Sequence, residues 1–183
     1  GAHRPHHPAA VSCGEGPTMI PRSALLAWTL AASSLASHGA HPVSAALASA
    51  LVDAALANPL VATDAGIRTT LAIEVALVWL EGHNDLNPNG YNDGGASACA
   101  FQVFLPHSAR TLEGWTADEL RHDARKCATV GVRLIKASVE RGPRDCELCL
   151  DARGRDTAEA RRLRAQRVGL AKRLIHEVRL EAE

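Results

Sequence analysis

A run of apolar residues that leads to a single glutamate restricts the fold of this chain more than any other feature. The apolar positions that leave few polar faces on the predicted helix are Leu71, Ile73, Val75, Leu77, Val78 and Leu80. Thr63 or Asp64 can cap the start of this helix. Glu81-Gly82 ends it, because glycine suits the left-handed closing position. A helix that is apolar on most sides usually lies at the centre of a domain, so the other elements are expected to pack around it.

Further segments with helical character predict a mostly α protein. Residues 44–57 form an Ala- and Leu-rich run that a following Asn-Pro pair ends, since proline cannot continue a helix. Thr116 opens a capping box and a helix that runs to about residue 138, and Asp156 opens a second box before the last helix. Aromatic residues make up only 3% of the chain, so small and aliphatic side chains must form the core. We predict one α-rich domain over residues 41–183, with one long irregular loop after the central helix.

The charge of the chain argues against nucleic acid as a partner. The formal net charge is +0 and the pI is about 7.3, so no overall basic surplus is available to neutralise phosphates. Basic side chains do crowd the C-terminal part, where they are Arg153, Arg155, Arg161, Arg162, Arg164, Arg167, Lys172 and Arg173. The favoured interpretation is the solvated face of an amphipathic helix. Attraction to an anionic polymer is the alternative.

The N-terminal part of the chain predicts an export signal. Residues 1–18 are rich in Pro, Gly and His and have no period, so we expect disorder there. Met19 then opens a short basic segment, residues 23–35 are apolar, and small residues follow, which is typical of a signal peptide over residues 19–40. The apolar run is too short for a comfortable membrane span, so we expect no stable span and a secreted or periplasmic protein. An ordinary buried helix is the alternative.

The cysteines agree with export. Cys13 precedes the predicted signal, and the remaining four are Cys99, Cys127, Cys146 and Cys149. An even set in an exported domain allows two disulfides with three connectivities, among which Cys127 with Cys146 is a plausible pair. A zinc site built on Cys146-x-x-Cys149, completed by Cys127 and His122, is a weaker alternative. Free, buried thiols are the third option for a cytosolic protein. We predict no metal and no cofactor.

The chemistry that Glu81 could perform follows from its position. Burial against the preceding Val78-Trp79-Leu80 turn disfavours a carboxylate anion. The partial negative charge of a helix C-terminus disfavours it further, typically by about 0.3–1 kcal/mol. Both effects favour a protonated acid, which glycosidic bond cleavage requires. In isolation, a glutamate at a helix end is more often a solvated surface residue.

The segments that follow Glu81 resemble the active-site region of the lysozyme-like superfamily. They are Glu81-Gly82, Leu86-Asn87-Pro88, Asn92-Asp93-Gly94-Gly95 and Cys99-Ala100-Phe101-Gln102. Soluble lytic transglycosylases show a similar order, with Glu-Ser at a helix end, an aromatic-Asn-Pro-like stretch and Gly-Leu-Met-Gln. Goose-type lysozymes resemble the loop more closely, because their loop Asp precedes the Gln by nine residues, as Asp93 precedes Gln102 here. The resemblance covers about residues 64–181, and its motifs lie within residues 81–103.

The resemblance implies a lysozyme-like fold and roles for individual residues. Glu81 would be the general acid and base, and Asp93 would position a water or stabilise positive charge on the sugar. The substrate-binding residues that it implies are Tyr91, Ser97, Phe101 and Gln102, with Gln102 bonding either sugar or loop backbone at the floor of the cleft. Asp93 organising its own turn and Tyr91 packing within the loop are the alternatives.

The implied reaction is cleavage of the β-1,4 bond between N-acetylmuramic acid and N-acetylglucosamine in peptidoglycan, in a bacterial or phage-associated setting. A lytic transglycosylase needs Glu81 alone, whereas a hydrolase also needs a second carboxylate to activate water, for which Asp93 is the candidate. We favour the transglycosylase-like route, with glycan strands as the partner of a monomer.

Departures from the family pattern motivate a second hypothesis. Gly82 stands where the family usually has serine, Cys99 where it usually has glycine, and Pro88 comes two residues late for the transglycosylase pattern. The downstream Ala-Tyr-Asn-like motif has no clear match, since the nearest stretch has Asp151 where tyrosine is common. The alternative is therefore a wall-binding or structural protein that keeps the fold without efficient catalysis. A small zinc-binding helical module is a third hypothesis.

Overall fold

A computed structural model of the chain describes residues 20–87, 94–106, 108–141 and 158–180. Within these residues the protein is mostly helical, with one two-stranded antiparallel sheet, which confirms the predicted fold class. The elements are α1 (Arg22–Ala36), α2 (Ala45–Ala57), α3 (Asp64–Gly82), β1 (Ser97–Ala98), β2 (Val103–Phe104), α4 (Ala117–His122), α5 (Ala124–Arg141) and α6 (Ala158–Glu177).

Helix α3 lies at the centre, as its apolar sequence predicts, and packs against α1, α2, α5 and α6. The Thr63 hydroxyl accepts a hydrogen bond from the Gly66 amide and so caps the first turn. The predicted closing residue was wrong by one position. His83, with φ of 50°, adopts the left-handed conformation, and Gly82 remains helical. The end of α3 is therefore set one residue beyond the glycine.

The helix predicted from Thr116 to about residue 138 is two helices. Thr116 and Glu119 form the expected capping box at the start of α4. Asp123 then leaves the helical conformation, with φ of −129° and ψ of 104°. Its side chain accepts hydrogen bonds from the amides of Arg125 and Lys126 at the start of α5. The prediction missed this break because an aspartate inside a helical pattern can also be an N-cap.

Helix α1 occupies the segment predicted as the apolar part of an export signal, and it packs into the core. Leu25, Trp28 and Ala32 are at most 2% exposed. The Trp28 indole donates a hydrogen bond of 2.9 Å to the Val178 carbonyl oxygen, just beyond α6. This is the packing that the alternative of an ordinary buried helix expects, while export stays a prediction. None of the helices in the described ranges is both long enough and apolar enough to span a membrane.

Removal of α1 should prevent cooperative folding. A chain that begins at residue 41 loses a helix that contacts α2, α3 and α6, and it exposes their apolar faces. The matched control begins at residue 20 and keeps α1. We expect a cooperative thermal unfolding transition by circular dichroism for the control alone. An equally sharp transition at the same temperature for both chains would show that α1 adds nothing to stability.

One charged residue type occurs inside the core, on the central helix itself. Glu74 is 0% exposed, and neither of its carboxylate oxygens has a hydrogen-bond partner among the described residues. Burial raises the pKa of Glu74 well above its usual value, because desolvation penalises the anion. The residue is thus held in the core as a neutral acid, which the apolar pattern around it gave no reason to expect.

Glu74 should make the protein less stable as the pH rises. Below its usual pKa the acid is protonated in both the folded and unfolded chains. Above that value the unfolded chain releases the proton and the folded chain keeps it, so folding loses up to about 1.4 kcal/mol per pH unit until the raised folded pKa is passed. Glu74→Gln should abolish this contribution. Urea unfolding of parent and variant from pH 4 to pH 8 would test it, and a difference that stays constant with pH would contradict it.

Candidate active site

The C-terminal end of α3 and the turn at Cys99–Gln102 are in direct contact. A Cβ atom on Gly82 would lie only 2.6 Å from the Ala100 carbonyl oxygen, closer than a real side chain can approach. Any residue larger than glycine would push the turn away from the helix. This contact explains why glycine follows Glu81 here, where the resembling family has serine. It also brings the Phe-Gln segment to the end of the helix that carries Glu81.

A short hairpin presents this turn, as expected for the loop. Strands β1 and β2 pair antiparallel, with Ser97 opposite Phe104 and Ala98 opposite Val103. Cys99 and Gln102 have φ of 58° and 50°, which closes the chain tightly between the strands. The Gln102 side-chain amide donates a hydrogen bond of 3.2 Å to the Cys99 carbonyl oxygen. Gln102 therefore binds loop backbone, which is one of the two roles expected for it.

Three contacts fasten the hairpin to the helices behind it. A disulfide joins Cys99 to Cys127 on α5. The Phe101 ring packs on α5 where Gly131 leaves room, since a Cβ there would lie 2.5 Å from two ring carbons. Arg121 donates hydrogen bonds of 2.6 and 3.1 Å to the carbonyl oxygens of Gly95 and Ser97. The loop beside the candidate acid is therefore held in place although it has little secondary structure.

The disulfide corrects the expected cysteine pairing. Cys127 bonds to Cys99 and not to Cys146, because α5 lies directly against the turn that carries Cys99. Closing a loop across a sequence separation of 28 residues reduces the entropy of the unfolded chain, which is worth about 3–4 kcal/mol. Cys127 is consequently not available as a zinc ligand beside His122. Within the described ranges no group of three His, Cys, Asp or Glu side chains could hold a metal ion. Cys146 and Cys149 lie outside those ranges.

The structure separates the predicted substrate-binding residues. Phe101 is only 1% exposed and fills the space over α5, so the substrate contact expected of it is corrected to a packing role. Ser97 lies half-buried on β1. Tyr91 and Asp93 fall outside the described residues. Of the predicted set, Glu81, Ser97 and Gln102 thus belong to the unit formed by the helix end and the hairpin.

Glu81 forms an ion pair that the sequence did not reveal. Its carboxylate accepts a hydrogen bond from the Arg167 guanidinium on α6. The Glu81 side chain is 23% exposed and that of Arg167 only 5%, so the pair faces the interior between two helices. Arg167 was assigned to the solvated face of the last helix, and that interpretation was wrong for this residue. It shares a helical stripe with Leu163 and Ala171, a spacing that could have placed it inward.

The ion pair limits what Glu81 can do without rearrangement. Partial exposure leaves the carboxyl group reachable from solvent, as an acid that protonates a sugar oxygen must be. Proton donation, however, needs an oxygen of Glu81 to turn towards the substrate while Arg167 holds the group. The same guanidinium would stabilise the anion that forms once the proton has left.

A depression of about 550 Å³ lies on the opposite side of the α1–α2 connection from the core and includes the end of α3. Its polar lining residues are His41, Ser44, His83, Asn84 and Asp85. Asn84 is 6% exposed, and its side-chain amide donates a hydrogen bond of 2.6 Å to the His41 carbonyl oxygen. Glu81 does not line this depression, so His83 and Glu81 serve different surfaces although two residues separate them.

Comparison with known proteins provides no relative for this chain. No protein-family model matches it, and no curated protein or solved structure is significantly similar to it. The site must therefore be interpreted from its own residues and contacts.

Replacement of Gly82 by alanine should destabilise the protein, although alanine is the better helix former. The new methyl group would lie 2.6 Å from the Ala100 carbonyl oxygen, and the turn would have to move. Gly169→Ala is the matched control, because the helical Gly169 has nothing within 4 Å of a new Cβ and should gain up to about 1 kcal/mol. Thermal unfolding measures both. Equal stabilisation by the two substitutions would refute the close contact.

Proposed function

We propose that this protein cleaves the β-1,4 bond between N-acetylmuramic acid and N-acetylglucosamine in peptidoglycan, in the manner of a lytic transglycosylase with a lysozyme-like fold. One observation carries the proposal: the partly exposed Glu81 ends the central helix, and the Cys99–Gln102 turn is seated on that same helix end. An acid at a buried helix end beside a fixed polar turn is an arrangement that suits glycosidic cleavage.

In the proposed reaction Glu81 acts twice. As an acid it donates its proton to the glycosidic oxygen, and the bond from that oxygen to C1 of the muramic acid breaks. The carboxylate of Glu81 then accepts the proton of the muramic acid 6-hydroxyl, whose oxygen bonds to C1 and closes a 1,6-anhydro ring. The proton is thereby returned to Glu81, and no water is consumed. The reaction requires no second carboxylate, no metal and no cofactor, and Asp93 would open a hydrolytic route if it activates water.

Arg167 has a defined place in this reaction. In the resting protein its guanidinium binds the Glu81 carboxylate. Substrate would have to turn the carboxyl group outward before the first step, and the guanidinium would stabilise the carboxylate after it. The remaining elements of the proposal are that the protein acts as a secreted or periplasmic monomer on glycan strands, without nucleic acid.

The same ion pair supports a second candidate function. A carboxylate held between two helices by a buried arginine can serve as a structural link alone, and breaking such a pair leaves an uncompensated buried charge. A wall-binding protein that does not turn over its glycan would keep the hairpin surface and use Glu81 only to join α3 to α6. The two functions differ in whether the carboxyl group is needed at position 81.

Glu81→Gln should lower the rate of peptidoglycan cleavage by about 10²-fold or more, because the amide cannot donate and recover the proton. The amide oxygen still accepts from Arg167, so the fold should survive. Glu113→Gln is the matched control, because Glu113 is 22% exposed and is paired with Arg133 in a similar way. The assay digests purified peptidoglycan with the full chain and identifies the products by mass spectrometry.

Each outcome of this assay decides between stated functions. Anhydro-muropeptides released by the parent and by Glu113→Gln, but not by Glu81→Gln, would establish the transglycosylase. Reducing muropeptides would instead indicate hydrolysis assisted by a second carboxylate. No release from several wall types, together with equal pelleting of parent and Glu81→Gln on intact wall, would sink the enzyme and support the binding protein.

A further inference from the structure

The outer face of the β1–β2 hairpin carries an aromatic ring that the packing of the protein does not use. Phe104 is 47% exposed, whereas Trp28 and Phe101 are at most 2% exposed. Trp79 and Trp115 are half-buried. Phe104 is therefore the one exposed aromatic residue among those the structure describes, in a chain whose aromatic content is only 3%.

The hairpin has one buried and one solvent-facing side. Side chains of directly paired residues lie on the same side of a sheet, so Ser97 and Phe104 share a side, as do Ala98 and Val103. Ala98 is 0% exposed and Val103 is 7% exposed, which identifies the second pair as the core side. The Phe104 ring is consequently presented on the outer side, next to Ser97.

The position of the ring is set by its neighbours along the strand. Val103 and Leu105, on either side of Phe104, are 7% and 8% exposed and anchor the backbone in the core. The Leu105 amide donates a hydrogen bond of 2.7 Å to the Ala96 carbonyl oxygen, which continues the pairing past the ring. The ring is thus held with little freedom to turn inward, and a ligand would not have to order it.

Phe104 also belongs to the rigid unit that holds the candidate site. It follows Gln102 by two residues, about 7 Å along an extended strand. The Cys99–Gln102 turn at the other end of the hairpin rests on Gly82, next to Glu81. A polymer that passes Glu81 and continues along the outer side of the hairpin would meet the Phe104 ring within about the length of one or two sugar units.

We infer that the Phe104 ring stacks against the apolar C–H face of a sugar ring in the glycan strand and positions the strand for cleavage at Glu81. This inference rests on the proposed function. The negative face of an aromatic ring attracts the weakly positive hydrogens of a pyranose ring, and β-1,4-linked sugars expose such C–H faces along the strand. Phe104 is a positioning residue and takes no part in proton transfer.

Phe104→Ala should weaken glycan binding and leave the chemical step unchanged. We expect KM for soluble, uncrosslinked glycan strands, and Kd in a pelleting assay with intact wall, to rise about three- to tenfold. The value of kcat should stay within about twofold, because the ring touches no reacting atom. Phe104→Trp keeps a ring and should restore both constants. Leu112→Ala is the control, because Leu112 is an exposed apolar residue, 86% exposed, outside the hairpin.

The outcomes separate this inference from the proposed function. Unchanged KM and Kd for Phe104→Ala, or an equal rise for Leu112→Ala, would overturn the stacking role while parental cleavage upholds the enzyme. A parent that binds glycan without cleaving it, and loses binding in Phe104→Ala alone, would uphold the stacking role and overturn the enzyme. A parent that neither binds nor cleaves glycan would overturn both. Equal melting temperatures of all variants show that no change comes from unfolding.

Discussion

The close backbone contact between Gly82 and Ala100 connects the candidate site to the centre of the protein. Helix α3 is buried by its neighbours, so the position of its C-terminal end is fixed by the whole core. The turn that rests on this end is held from its other side by the Cys99–Cys127 disulfide and by the Phe101 ring. A segment with two strands of two residues each thereby keeps a defined place beside Glu81. Without the glycine, the disulfide and the helix could not both hold the same turn.

The parts of the fold that depend on local chemistry were predictable from the sequence. The apolar run identified α3 as the central helix, and the capping box at Thr116 placed the start of α4 at the correct residue. The hairpin followed from the density of turn-forming residues before Phe101. The break at Asp123 and the left-handed residue at His83 were missed, because in both cases a backbone preference was decided by the neighbouring turn. Such boundaries need knowledge of where each side chain hydrogen-bonds.

The parts that depend on which helix faces which were not predictable. Arg167 and Glu74 are both charged types in helices, yet one pairs with Glu81 and the other has no hydrogen-bond partner among the described residues. Periodicity can place a residue on an inward stripe, but it cannot say whether a partner of opposite charge lies there. Likewise, spacing offered Phe101 as a ring for a ligand, whereas the register of the hairpin leaves Phe104 exposed. In each case the decision is made by contacts between segments far apart in the chain.

The hydrogen bond from Trp28 to Val178 spans 150 residues and joins the first described helix to the end of the last one. A ribosome delivers α1 long before α6, so the apolar face of α1 has no complete partner while the rest of the chain is being synthesised. Final packing must wait until the C-terminal helix has emerged. Contacts of such high sequence separation also slow folding, because a large loop has to close before they form. A chain that remains unfolded for this interval is in a state suited to transport across a membrane before it folds.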